Sequence, residues 1–274
     1  MGAPRSRTAQ HELAQAFCDE RGYLFRDRVV DLPVSGLLFR SSKHVVMDGV
    51  VDALSADAPF VFATVSTRRR GLRGLKLVVV PLPRPVPNMV LLSTSGGVLR
   101  NSGIALKESQ RLSVEGDFQD VFTLYCPAGY ERDALYVFTP DLLRRLMDAA
   151  AGCDLEIVDD RVLIYAPARA FSKPGQLDEL PGLVHYLREK FERQTRRYRD
   201  ERRTDEELDD PFRRAQVTTG TATDERHLVG ASGRRLRTRT TASQKVGIAA
   251  AAMLMLAAAT YWIGMVATAI FGGA

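Results

Sequence analysis

Apolar residues recur at helical spacing near the start of the chain. Between residues 8 and 21 they share one face of a helix, and Gly22 is placed to end it. The members of this face are Ala9, Leu13, Ala16 and Phe17. Residues 1–24 are therefore predicted to be an N-terminal helical segment.

The pattern then changes to β-branched and aromatic runs that are broken by Pro and Gly. Such runs predict strands at about 29–40, 44–53, 60–66, 75–82 and 89–93. The third and fourth of these form a predicted hairpin with residues 67–74 at its tip. The proline-rich residues 81–88 then predict an extended edge segment that serves as a connector.

Strand and helix signals alternate in the second half of the domain. Residues 121–125 and 135–138 have strand patterns, and Thr139-Pro140-Asp141 is typical of a helix start, with Thr139 as the cap. The helix that follows has an apolar face and a stop at Gly152; the face contains Leu142, Leu143, Leu146, Met147 and Ala150. Residues 155–158 and 162–165 then predict a second hairpin. Together these signals predict an α+β domain over residues 25–170, a mostly antiparallel sheet with one or two packed helices.

The last hundred residues divide into three segments of different character. Residues 171–203 predict a helix whose apolar stripe fades beyond Phe191. Residues 204–245 are polar and lack periodicity, which predicts a flexible basic linker. Residues 246–271 contain no charged side chain, and a bilayer core needs roughly 20 such residues. We therefore expect one C-terminal transmembrane helix over 246–271.

Charge predicts the orientation of this helix. Basic residues crowd its N-terminal flank, at Arg234, Arg235, Arg237, Arg239 and Lys245, whereas only Gly-Gly-Ala follows it. The positive-inside rule then places the N-terminal body in the cytoplasm, in a single-pass protein of the cell membrane. Tyr261 and Trp262 fall where the outer interface is expected. With so little chain after the span, we expect insertion in the tail-anchored manner.

Small residues recur at four-residue spacing within the predicted span, in Gly247/Ala251 and Gly264/Thr268. This spacing permits close pairing of two transmembrane helices, and it also arises easily by chance in so alanine-rich a segment. A homodimer through the span is one alternative, and an unidentified membrane or cytoplasmic protein is the other expected partner.

The formal net charge of +5 is concentrated in the flank. Removing its five cations from the 38 basic residues leaves 33, which equals the 33 acidic residues. A nucleic-acid-binding body is therefore not expected. The predicted hairpin tip carries Arg68, Arg69, Arg70 and Arg73, which form either a solvated loop or a weak site for anionic lipid or nucleic acid.

Motifs for catalysis and cofactor binding were sought in the chain. Phosphate loops, dinucleotide fingerprints and nucleophile elbows are absent from the sequence, so we expect no cofactor. Cys18, Cys126 and Cys153 are far apart, and the four histidines are scattered, so neither a disulfide framework nor a metal site is predicted. Glu115, Asp117 and Asp120 form either an acidic turn or, together with Tyr125, the site of an enzyme.

The segment 112–165 combines an acidic lead-in, a Phe-x-x-x-Phe motif, a strand, a Thr-Pro helix start and a short hairpin. The motif residues are Phe118, Phe122, Thr139 and Pro140. In this pattern the segment resembles a bacterial family of uncharacterised domains found in small membrane proteins. The resemblance extends loosely over residues 25–165. Members more often carry membrane helices before the domain, so the C-terminal anchor departs from the family. The family has no established activity, and it implies no catalytic residues.

These observations favour a membrane-anchored cytoplasmic domain without enzymatic activity, which binds or senses a protein partner. The alternatives are an enzyme with an unrecognised acidic site, or a weak binder of anionic lipid or nucleic acid through the arginine-rich tip.

Overall fold

A computed structural model describes most of the N-terminal two thirds of the chain and a short segment near residue 235. The described residues are 3–30, 34–40, 45–66, 74–114, 116–195, 198, 200, 229, 232–234 and 236–239. They divide into two compact units, Met1–Arg237 and Thr238–Ala274. In the second unit the described residues form one short strand, Thr238–Arg239.

The first unit contains a nine-stranded sheet in which every neighbouring pair is antiparallel. Its order is β1-β2-β3-β4-β10-β9-β5-β8-β7. The strands are β1 (Leu24–Val30), β2 (Val46–Asp52), β3 (Val61–Ser66), β4 (Lys76–Pro81), β5 (Met89–Ser93), β7 (Arg111–Leu112), β8 (Phe122–Tyr125), β9 (Asp154–Val158) and β10 (Arg161–Ala166), and a two-residue β6 (Ala105–Leu106) lies outside this sheet.

Several helices accompany the sheet, more than the one or two predicted. They are α1 (Ala3–Arg21), α2 (Val98–Asn101), α3 (Phe118–Val121), α4 (Glu131–Val137), α5 (Pro140–Ala150) and α6 (Leu180–Thr195), with 3₁₀ turns at Glu108–Gln110 and Gln176–Glu179. The α+β class and the antiparallel sheet are confirmed. The predicted transmembrane helix over 246–271 lies outside the described residues. Within the described part of the chain, no helix is both long and apolar enough to cross a bilayer.

Both faces of the central strands are buried. On one face α1, α4, α5 and α6 pack their apolar residues against the sheet. On the other face the cover comes from loops, chiefly residues 37–39 and α2 with Val98 and Leu99. This double cover explains why β4 and β5 are almost continuously apolar, and why β9 is buried along its whole length instead of alternating.

The predicted hairpins are confirmed. β3 pairs with β4 through Val61–Val79 to Thr64–Lys76, and β9 pairs with β10 across the turn at Asp159 and Asp160. The connection from β4 to β5 differs from the predicted edge segment. The sheet order requires it to pass two strands, so it crosses the β9–β10 turn, where Leu82 N–H donates to Asp160 O at 2.6 Å.

Two predicted strands are wrong. Residues 135–137 belong to α4 and Phe138 follows its end, because Ala134 and Val137 bury one helical face while Leu135 and Tyr136 stay exposed. A four-residue apolar run is compatible with a strand or with a helix, and the length of the buried face decides between the two. The first predicted strand, 29–40, is also misplaced, since β1 ends at Val30 and residues 37–40 form a turn.

The start of α5 is where the Thr-Pro pattern predicted it, but the cap works differently. Thr139 is the N-cap residue, and Leu143 N–H donates to its carbonyl at 2.9 Å. Its hydroxyl does not accept a backbone N–H; it donates to Asp141 Oδ1 at 2.6 Å and accepts from Gln194 Nε2 at 3.1 Å. The hydroxyl therefore links α5 to α6.

Candidate functional site

A short segment after residue 230, at the end of the first unit, is held against the rest of that unit. We call residues 232–237, of which all but Arg235 are described, the docked segment. Gly233 and Leu236 in it are buried. The segment lies within the predicted 204–245 linker, so this part of the linker is packed on the domain.

Asn88, at the start of β5, uses its backbone and its amide to hold the docked segment. Its backbone N–H donates to Gly233 O at 2.9 Å, and its Nδ2 donates to Arg234 O at 3.2 Å. Its Oδ1 accepts the N–H of Asp159 at 3.0 Å. The side chain of Asn88 is buried, and these bonds join the docked segment to the β9–β10 turn.

Three further contacts fix the C-terminal end of the docked segment. Arg237 N–H donates to Gln110 Oε1 at 2.9 Å, and Lys107 N–H donates to Arg237 O at 3.3 Å. Arg40 donates to Leu236 O at 3.3 Å. Backbone groups make most of these bonds, which is why the contacts are compatible with a polar sequence that lacks periodicity.

Docking creates a pocket of about 290 Å³ between the 3₁₀ turn at 108–110, the loop before α4 and the docked segment. Its lining residues are Lys107, Ser109, Gln110, Pro127, Ala128, Ser232 and Arg237. The lining contains two cations and two hydroxyls, and no carboxylate. Ser232 Oγ lies 3.1 Å from the hydroxyl of the buried Tyr130, which donates to Asp200 Oδ2 at 2.7 Å.

A second polar group lies beneath α1. Arg28, Asp48, Thr64 and Lys76 stand opposite one another across β1, β2, β3 and β4. The amine of Lys76 is buried and donates to Thr64 Oγ1 at 3.0 Å and to Gln10 Oε1. Burial lowers the pKa of Lys76 to about 8. This side chain is 1% exposed, so α1 separates its amine from external ligands.

Two buried acids on β9 hold the loops that cover the second face. Asp154 accepts the N–H groups of Ser93 at 2.8 Å and Leu99 at 2.6 Å, and Glu156 accepts the N–H of Leu37 at 2.9 Å and the hydroxyl of Tyr165 at 2.6 Å. Burial is the main cause that raises the pKa of Asp154 to about 6 and that of Glu156 to about 7. Backbone partners and full burial give both acids a structural role.

The residues proposed from the sequence are only partly described. Arg234 forms an ion pair with Asp159 at 3.2 Å, and Arg237 lines the pocket. The side chain of Arg239 is not described. The other predicted site residues lie outside the described residues: Arg68, Arg69, Arg70, Arg73, Arg235, Lys245, Tyr261 and Trp262.

Asp117 and Asp120, the described acids of the enzyme alternative, are neighbours of residues on a different face of the sheet from Tyr125. Phe118 and Phe122, beside Asp117 and Asp120, belong to the helix-covered face, whereas Tyr125 belongs to the loop-covered face. Glu115 lies outside the described residues. Among the residues that the structure describes, no three His, Cys, Asp or Glu side chains form a group suited to a metal ion.

Sequence reasoning missed most of the pocket. Lys107, Ser109, Gln110 and Ser232 carry no local motif, and Arg237 was predicted only as part of the membrane flank. The pocket exists because residues more than 120 positions apart meet, as Gln110 and Arg237 do. Asn88, the polar residue before β5, holds the segment, but its burial is visible only in the structure.

No family model and no curated protein matches this chain. Among solved structures, the chain is similar to the crystal structure of the mycobacterial trehalose monomycolate transport factor A, TtfA, at 11% sequence identity and a TM-score of 0.46. The match covers 69% of this chain and 97% of that one.

Proposed function

We propose that this chain is a single-pass protein of the cell membrane, with its N-terminal body in the cytoplasm, and that the body is a non-enzymatic module that binds a protein partner close to the bilayer. The observation that carries the proposal is the docked segment. Because this segment is held on the domain, only the residues that follow it connect the domain to the uncharged stretch. That connection is much shorter than the predicted flexible linker.

Chain length sets the distance involved. Eight residues, 238–245, separate Arg237 from Val246, where the predicted span begins. At about 3.3–3.6 Å per residue, the nine steps between these two residues reach at most roughly 30 Å. A free linker of 42 residues would reach more than 100 Å when extended. The docked segment therefore favours a domain that works near the membrane surface.

The edge strand β1 supports the proposal of a protein partner. Among the described strands only β2 pairs with it, so its outer backbone groups can accept a strand from another chain. Leu24 and Val30, near its two ends, are 53% and 56% exposed. Arg26, Asp27 and Arg28 lie between them and would discourage unselective strand pairing.

Two measurements test the proposal. First, we expect the full chain to sediment with membranes after alkaline washing, and a reporter fused after Ala274 to lie outside the cytoplasm. Recovery in the supernatant, or a cytoplasmic reporter, would contradict the anchor.

Second, a photoreactive residue at Leu24 or Val30 should give a discrete crosslinked protein in cells. Leu54 is the matched control, since it is 53% exposed but lies in the turn after β2. Identical adducts from all three positions, or none from the edge positions, would contradict binding through β1.

A further inference from the structure

We propose that the pocket formed by the docked segment binds a phosphate group. The proposal goes beyond the function above, because it assigns a ligand to the domain itself. Lys107 and Arg237 supply the positive charge, and Ser109 supplies a hydroxyl donor. The pocket opens to solvent on the side of Ser109, Ser232 and Arg237, whose side chains are exposed.

The two cations favour an anion because no acidic residue in the described part of the chain neutralises them. Among the described residues, neither Lys107 nor Arg237 has an acidic partner, although many other basic side chains in this domain have one. Two like charges held in one small pocket repel each other. A bound anion removes that repulsion and forms charge-assisted hydrogen bonds with both.

The backbone places the two cations together independently of their side chains. Lys107 N–H donates to Arg237 O, and Gln110, three residues after Lys107, accepts the N–H of Arg237. The buried Gln110 is itself fixed, because its carbonyl accepts Cys126 N–H at 2.9 Å. The site is therefore preformed, which lowers the ordering cost of binding.

Size and donor number favour phosphate over larger or simpler anions. A volume of about 290 Å³ is at the small end for ligand pockets, so a phosphate or a small phosphorylated group fits and a nucleotide does not. A guanidinium, an ammonium and one hydroxyl offer more donors than the two oxygens of a carboxylate can use. A phosphate has at least three acceptor oxygens.

The phosphate has two sources that the chemistry alone does not distinguish. It can belong to a soluble metabolite or to the headgroup of an anionic phospholipid. The lipid source rests on the proposed membrane anchor, since the short connection from Arg237 to Val246 would keep the pocket near the headgroups. Binding of soluble phosphate does not depend on the anchor.

The first experiment uses the full chain in a non-ionic detergent and inorganic phosphate as the probe, with chloride keeping the ionic strength constant. Phosphate should slow hydrogen exchange in residues 107–110 and 232–237. The double variant Lys107→Gln/Arg237→Gln should bind phosphate at least about tenfold more weakly, because both charge-assisted contacts are lost. The variant keeps the backbone bonds that dock the segment, so slow exchange without phosphate verifies its fold.

The matched control is Arg144→Gln/Lys173→Gln, which removes the same charge from exposed residues that do not line the pocket. It should bind phosphate like the wild type. Equal binding by the wild type and the pocket variant, or no phosphate-dependent protection in the wild type, would overturn the proposal.

The second experiment separates the sources in lipid nanodiscs of phosphatidylcholine with and without phosphatidylglycerol. Stronger protection of residues 107–110 in the anionic discs assigns the site to lipid headgroups. No protection in either disc, with protection by free phosphate, assigns it to a soluble compound. If the chain does not enter the discs but still binds phosphate, the anchor is refuted and the pocket stands.

Discussion

A Cβ atom added to Gly97 would lie 2.0 Å from Oδ1 of Asp154. Gly97 precedes α2, and the carboxylate beneath it accepts the N–H of Leu99 inside that helix. The close approach lets a buried acid bind the first turn of α2 and hold a loop against the sheet. Gly36 has the same relationship to Glu156 and Tyr165 at the turn 36–40, where a Cβ would lie 2.3 Å from the Tyr165 hydroxyl oxygen.

Gly97→Ala should destabilise the domain by about 2–3 kcal/mol through overpacking. The φ angle at Gly97 is −55°, which alanine adopts readily, so the cost comes from the clash with Asp154. Urea unfolding of the full chain in a non-ionic detergent measures it. The control is Gly182→Ala in α6, where an added Cβ meets nothing within 4 Å. Equal stability of the two variants would contradict the clash.

The sequence predicted the parts of the fold that depend on local patterns. β2 to β5 and the two hairpins follow from β-branched runs and turn residues. Asp154 and Glu156 were not recognised, because a D-x-E pattern in an apolar strand does not tell which distant loops supply the partners. The same limit applies to Asn88, whose bond to Arg234 spans 146 residues. For this reason, the pocket could not be predicted from the sequence.

The two acids of β9 predict that stability falls as the pH rises from about 4 to 7. Burial raises the pKa of Asp154 from 3.8 to about 6 and that of Glu156 from 4.5 to about 7. Between these values the folded chain holds more protons than the unfolded chain. The stabilising contribution is therefore complete below the unfolded pKa and is lost by pH 7.

Glu156→Gln should reduce this loss by roughly 3 kcal/mol, because the amide does not titrate. The measurement is the free energy of unfolding at several pH values between 4.5 and 7, compared by slope. Glu179→Gln removes an exposed acid and should leave the slope unchanged. A slope in Glu156→Gln equal to that of the wild type would show that Glu156 does not titrate in this range.

Lys76 predicts an effect of the opposite sign at alkaline pH. Its pKa is lowered by burial from 10.5 to about 8, so the unfolded chain binds more protons between these values. Stability of the wild type relative to Lys76→Met should therefore rise by about 3 kcal/mol from pH 8 to 10.5.

The comparison with Lys76→Met is needed because buried thiols titrate in an overlapping range. Burial raises the pKa of Cys18 to about 11 and that of Cys126 to about 12. Their contributions cancel in the difference between the two proteins. Lys173→Met, at an exposed position, should show no such rise. A difference between wild type and Lys76→Met that stays constant with pH would refute a neutralised buried amine.

The docked segment depends on the small size of Gly233. A Cβ there would lie 2.5 Å from Val229 Cγ1 and 2.9 Å from Tyr130 Cζ, and Tyr130 is fully buried and fixed by Asp200. Gly233→Ala should therefore release residues 232–237 and speed their hydrogen exchange by roughly tenfold or more, since overpacking costs about 1–3 kcal/mol. The sheet should keep its protection, because the hydrogen bonds described for the segment are made by residues outside the central strands, chiefly Asn88 and Gln110. Gly182→Ala, which meets no neighbour, should leave exchange in 232–237 unchanged. Hydrogen exchange in residues 232–237 of Gly233→Ala that is as slow as in the wild type would show that the packing around Tyr130 does not hold the segment. The short connection between the domain and the predicted span would then lose its support.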